Sequence, residues 1–136
     1  MEKIFIDTNI IIYANDQRDK KKQKKAINTI KTIMTSASGT ISTQVMQEYA
    51  YVALTKLRQA PDVVLRQLML LETFEVIHQS PDQIRRAIEI MYVYKIGFWD
   101  AFIFSNAEHA NCLVIYSENL NPGQYYSGIK IMNPLA

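Results

Sequence analysis

The chain has 136 residues, 49% of them hydrophobic, with a formal net charge of +2. That length suits one domain over residues 1–136, the apolar content excludes general disorder, and so small a net charge gives no overall signature of nucleic-acid binding. A single cysteine, Cys112, excludes an intrachain disulfide and any zinc-ligand spacing, and the absence of ~18 uninterrupted apolar residues argues against a membrane span. Asp7 and Asn9 interrupt the first apolar run and no small-residue cleavage site follows, so no signal peptide is expected and the protein is expected to be cytoplasmic.

Taken in order, Lys3 to Ile6 reads as a short buried strand running into Asp7. Asn9 is a candidate N-cap for a short helix over Ile10 to Ala14, which Asn15 and Asp16 interrupt. Lys20 to Ser36 predicts a second helix, with Ile27, Ile30 and Met34 at helical spacing, stopped by Ser38-Gly39. Thr40-Ile41 is a short strand. Ser42 or Thr43 caps a helix to about Leu57, with Val45, Tyr49, Val52 and Ala53 on one face. Pro61 opens a further helix to about Glu72. Phe74 to Ile77 reads as a strand. Ser80 and Pro81 open a helix whose apolar positions are Ile84, Ala87, Ile88, Met91 and Tyr92. Gly97 ends it, and Phe98 to Glu108 forms the next, stopped by Asn111. Leu113 to Tyr116 is a second clear buried strand. Asn121-Pro122-Gly123 is a turn, and Ile129-Lys130-Ile131 an edge strand. Strands separated by helices, with no repeat or linker, predict an α/β fold: a central, mostly parallel sheet of four to five strands flanked by helices on both faces.

Three acids occupy positions where the patterns predict core or its edge. Asp7 ends the first strand, Glu48 lies beside an apolar stripe with Val45 and Val52 as helical neighbours, and Asp100 opens a helix with Ile103, Phe104 and Ala107 on its face. Ser117-Glu118-Asn119 follows the strand ending at Tyr116, which in a parallel sheet ends on the same edge as Asp7. Each alone has a plain reading. Asp7 caps or turns, Glu48 sits at a rim, Asp100 complements a helix dipole, and Glu118 and Asn119 are loop residues. Together they are different, because burying several carboxylates side by side is costly unless a cation joins them. Carboxylates without a His/Cys set suit Mg²⁺, or alternatively Mn²⁺.

The joint pattern resembles the PIN-domain nucleases. Phe5-Ile6-Asp7-Thr8-Asn9 resembles their opening motif, Ser42 to Glu48 their second, Gly97-Phe98-Trp99-Asp100-Ala101 their third and Tyr116 to Gln124 their fourth, while Ile131-Met132-Asn133-Pro134 is similar to their usual ending. Length and ending look most like the VapC-type toxins of bacterial toxin–antitoxin pairs. The resemblance implies a PIN-like domain that cleaves RNA with Mg²⁺, a cognate antitoxin partner and a homodimer. Asp7, Glu48 and Asp100 would be catalytic and metal-holding, with Glu118 or Asn119 as a fourth donor and Thr8, Asn9 and Ser117 orienting carboxylates or waters. The chain departs from the family at Asn119, where an aspartate is usual. Either Glu118 substitutes, or the site runs with one fewer charge, or activity is weakened.

The lysine run reads as a solvated face or as an RNA-contacting patch of Lys21, Lys22 and Lys25, which Arg85 and Arg86 would extend. Trp99, Phe98, Phe102 and Phe104 are expected in the core rather than as base-stacking surfaces, with Tyr125-Tyr126 the better candidate for exposed contact. His78 and His109 lack an organised partner pattern, and Cys112 is expected to pack as a small apolar residue. Two rival functions remain. A phosphatase with Asp7 as nucleophile would want a second aspartate where Asn9 stands. A PIN-like domain weakened at Asn119 would bind RNA or a partner without cutting.

Overall fold

The computed structural model describes residues 2–121 and 123–136. In chain order, the described residues form β1 (Lys3–Ile6), α1 (Thr8–Ala14), α2 (Lys20–Ser36), β2 (Ser38–Ser42), α3 (Thr43–Thr55), α4 (Pro61–Leu71), β3 (Glu75–Ile77), α5 (Pro81–Tyr94), α6 (Phe98–His109), β4 (Val114–Tyr116), β5 (Tyr125–Tyr126) and β6 (Ile129–Met132). The strands lie in one sheet in the order β3-β2-β1-β4-β6-β5, parallel except where β5 runs against β6. Ile4, Phe5 and Ile6 are each no more than 3% exposed. Successive strand residues point to opposite faces, so β1 is covered on both sides, as an α/β sheet requires. None of the described helices is long and apolar enough to cross a membrane.

From β1 the chain builds outward to β2 and β3, then returns to place β4 on the other side of β1. The order therefore reverses between β1 and β4. Such a switch point leaves a crevice beyond the carboxyl ends of the strands, because the connecting helices depart to opposite sides. Local signals hold the helices in place. Ser42 Oγ accepts from the Val45 amide at 3.2 Å. Ser80 and Gln83 form a reciprocal capping box, with the Ser80 amide donating to Gln83 Oε1 at 2.6 Å. Tyr49 donates its hydroxyl to Gln59 Oε1 (2.9 Å), and Gln59 Nε2 donates to Asn15 Oδ1 (3.3 Å), tying the end of α1 to the α3–α4 connection.

Several expectations are corrected. The cap of α1 is Asp7, not Asn9: the chain turns from strand to helix within one residue, so the acid that ends β1 also accepts from the Thr8 amide. Ser38-Gly39 does not merely stop α2, which ends at Ser36; it belongs to β2. A Cβ on Gly39 would stand 2.5 Å from the Phe74 ring, so glycine there permits close packing rather than a turn. On α5 the buried residues are Gln83, Ala87 and Ile90, while Ile84, Ile88 and Tyr92 are exposed. A polar seam docks α5 on α6. Gln83 Nε2 donates to Asn106 Oδ1 (3.0 Å), and Ser105 Oγ donates to the Gln83 carbonyl (2.7 Å). Hydrophobic periodicity cannot register such a seam. Finally, β6 is internal and the edge belongs to a sixth strand, β5. Ser127 and Gly128 join the two with φ values of 53° and 81°, both in the left-handed region that a two-residue hairpin loop demands. In the expected turn at Asn121-Pro122-Gly123, Pro122 lies outside the described residues.

Candidate functional site

Parallel pairing of Ile6 with Tyr116 brings the ends of β1 and β4 level. The next residue on each strand is then Asp7 and Ser117, and they meet in the crevice. The Asp7 amide donates to the Tyr116 carbonyl at 2.9 Å. Ser117 Oγ donates to Asp7 Oδ2, and the Thr8 amide to Oδ1, both at 2.7 Å. Asp7 is only 5% exposed. Burial pushes its pKa up from 3.8 to about 6, against the two hydrogen bonds that favour its charge and with a smaller upward push from the negative charges of Glu48 and Asp100. The Ser117 hydroxyl also accepts from the Asn119 and Leu120 amides at 3.2 and 3.3 Å, so one side chain orients Asp7 and folds the loop after β4.

Glu48 reaches the crevice from α3, which Ser42 starts at the carboxyl end of β2. Its carboxylate is open to solvent but held. Thr8 Oγ1 donates to Oε2 at 2.9 Å and Gln44 Nε2 to Oε1 at 2.8 Å. Gln44, 7% exposed, is aligned in turn by Gln79 Nε2, which donates to its Oε1 at 2.9 Å. Asp100 stands half-buried in the first turn of α6, its carboxyl pushed up by burial and then by the charge of Glu48. The three acids, with Thr8, Asn9, Gln44, Trp99, Ile103 and Asn119, line one cleft of about 110 Å³.

Glu118 is not part of that lining. Its carboxylate pairs with Lys22 Nζ at 2.9 Å, and the same ammonium sits 4.6 Å from the centre of the Tyr13 ring. The fourth position in the cleft is therefore the Asn119 amide. Among the described residues, no three His, Cys, Asp or Glu side chains converge closely enough to grip a metal ion as they stand. The Glu48 oxygens are engaged by Thr8 and Gln44. The donor chemistry nevertheless fits a hard divalent cation. The Asp7 and Glu48 carboxylates accept from hydroxyls and amides, and burial raises the pKa of both Asp7 and Asp100, a cost that a bound cation would offset.

The other candidates are dispersed. Lys21 is exposed, Lys22 is bound to Glu118, and Lys25 Nζ lies 3.4 Å from the Leu135 and Ala136 carbonyl oxygens. Arg86 forms a two-pronged pair with Glu108 at 2.8 and 3.0 Å, and Arg85 pairs with Asp82. His78 and His109 are exposed and outside the cleft, and Cys112 is buried as expected. Phe102 and Phe104 join the core, whereas Trp99, expected there, is 64% exposed. Tyr125 is exposed, while the Tyr126 ring packs 4.6 Å from that of Phe104. Gln44 and Gln79 were not foreseen. Gln44 stands four residues before Glu48 on one helix, a spacing that pairs an amide with a carboxylate and was legible. Gln79 comes from a distant loop without a local signal.

The sequence matches the PIN domain family over residues 4–124, and no curated protein matches it. The fold is similar to that of VapBC2 from Rickettsia felis, solved bound to a DNA fragment from its promoter. The TM-score is 0.71 with 20% identity, covering 96% of this chain and 98% of that one. A toxin–antitoxin complex from Klebsiella pneumoniae matches with a TM-score of 0.71 and 23% identity over 96% and 97% of the two chains. VapC20 of Mycobacterium tuberculosis, described as a sarcin–ricin loop cleaving toxin, matches with 0.64 and 18% over 85% and 89%.

Proposed function

The chain belongs to the PIN-domain family, and from that premise we propose that it is a metal-dependent endoribonuclease, the toxin of a toxin–antitoxin pair, acting in the cytoplasm. The observation that carries this reading is the convergence of Asp7, Glu48 and Asp100, far apart in sequence, on one cleft at the sheet's switch point. The Rickettsia, Klebsiella and Mycobacterium structures support the toxin–antitoxin part.

In this proposal Asp7 and Asp100 would hold Mg²⁺ or Mn²⁺, with Glu48 and the Asn119 side-chain oxygen as the remaining donors. A bound cation supplies positive charge against the phosphate oxygens and acidifies water for attack on phosphorus. Ser117 and the Thr8 amide orient Asp7 and favour its charged form against the opposing effect of burial. Thr8 and Gln44 fix the Glu48 carboxylate where it can accept a proton from water. The partners proposed are an RNA substrate, a cognate antitoxin and a second copy of the chain. The exposed apolar stripe Ile84, Ile88 and Tyr92 on α5 supports the last of these.

The test is cleavage of several RNAs by purified protein with Mg²⁺, Mn²⁺ or EDTA. Wild type is expected to cut only with metal, and folded Asp7→Asn not at all; full activity in that variant would refute the assignment. One observation favours a second reading. Because Glu118 is tied to Lys22, the fourth position in the cleft carries no charge, and a domain so weakened would bind RNA or a partner without cutting. Gain of cleavage in Asn119→Asp from an inactive wild type would establish that alternative.

A further inference from the structure

Trp99 lies in the first turn of α6, one residue before Asp100, and lines the cleft shared by the three carboxylates. It is 64% exposed, whereas Phe102 and Phe104 on the same helix are 4% and 1% exposed. Leaving the largest apolar side chain in water forgoes the burial its neighbours obtain. The ring is nevertheless held. Its plane lies within 27° of the Phe102 ring at 5.9 Å between centres, and Phe98 meets it at 84° and 5.1 Å. The indole is thus backed by aromatic carbon while most of the residue is exposed where it lines the cleft.

We propose that Trp99 is a platform on which a nucleotide base of the substrate stacks, next to the phosphate presented to Asp7 and Asp100. This deepens the nuclease reading and rests on it. Trp99 and Asp100 line the same cleft, so a strand that lays a phosphate at Asp100 has its adjoining nucleotide within reach of the indole. The binding energetics point the same way. A cleft walled by carboxylates has no attraction of its own for a polyanion, and Lys22 and Lys25 are engaged within the molecule. Stacking on a rigid indole supplies affinity without requiring positive charge, and it tolerates any base.

Trp99 is the chain's one tryptophan, so indole fluorescence reports this position alone. The full-length protein is titrated, in Mg²⁺ and in EDTA, with single-stranded RNA oligonucleotides and with abasic oligonucleotides of equal length and charge. Quenching by RNA but not by the abasic strands is expected. Trp99→Ala is expected to weaken RNA binding, read by anisotropy, by about 5- to 100-fold, and Trp99→Phe to recover most of it. RNA binding without quenching, or binding by Trp99→Ala equal to wild type, overturns the platform. The two readings fail separately. Cleavage without quenching sinks the platform alone, quenching without cleavage in either Mg²⁺ or Mn²⁺ sinks the nuclease alone, and no RNA binding sinks both. An emission blue shift that grows with protein concentration, without RNA, assigns the ring to a second copy and overturns the platform.

Discussion

Asp7 titrates near 6 in the folded chain against an ordinary 3.8. The folded state thus binds this proton more tightly than the unfolded state does. Its contribution to stability is full below the unfolded value and is lost as pH rises through 6, roughly 3 kcal/mol over that span. Asp7→Asn removes the dependence. In EDTA, the variant's stability relative to wild type, measured by urea unfolding, is expected to improve by ~1–3 kcal/mol between pH ~4 and pH ~7.5. A constant difference would mean that the buried carboxylate carries no such penalty. Cation binding acts on the same residue from the other side. At pH ~7.5 and a hundredfold excess over its dissociation constant, Mg²⁺ is expected to stabilise wild type by about 2.7 kcal/mol and to leave Asp7→Asn nearly unmoved. Ser117 offers a finer probe. Ser117→Ala removes one of the two bonds favouring the Asp7 anion, so the rising limb of any pH–rate profile is expected to move to higher pH.

At the scale of elements, the tightest constraint is Gly39. Because a Cβ there would meet Phe74 at 2.5 Å, Gly39→Ala is expected to cost about 1–3 kcal/mol through displacement of the ring, read as a lower unfolding midpoint. A midpoint equal to wild type would show that β3 and α2 give way freely. The elements legible in the sequence were those whose cause is local. Lys20 to Ser36 carries its own helical period, Ser80-Pro81-Asp82 supplies a cap and a first-position proline, and Lys3 to Ile6 is an apolar run that suits a buried strand. The failures have tertiary causes. Gly39 looks like a helix stop until Phe74 is beside it. The apolar run Ile84, Ile88 and Tyr92 outweighs Gln83 and Ala87 in any hydrophobicity pattern, yet the polar and small face meets α6. The hairpin at Ser127-Gly128 has a local signal as well, a Ser-Gly pair directly before an alternating strand. At the site, the three acids were legible as a set with Glu118 and Asn119 as alternatives for a fourth position, whereas the turning of Glu118 toward Lys22 depends on how α2 lies against the loop after β4.

For the whole molecule, the stripe of Ile84, Ile88 and Tyr92 is the face proposed to join two copies. Replacing Ile84 and Ile88 together with lysine is expected to convert a dimer into a monomer by light scattering, with circular dichroism unchanged; a wild type that is already monomeric would refute the dimer. The hydrogen bond between Asp7 and Ser117 spans 110 positions of the chain, and β1 lies between its early neighbour β2 and its late neighbour β4. Closing so long a loop comes late in folding, because its entropy is lost before any contact rewards it. During synthesis at about 5–20 residues per second, the last residue of α4 has been made roughly 2–9 s before Ser117 exists. Throughout that interval Asp7 has no β4 beside it and the cleft has no floor. A chain cut short of Ser117 therefore lacks the side chain that orients Asp7, and the cleft is complete only once residue 117 has been made.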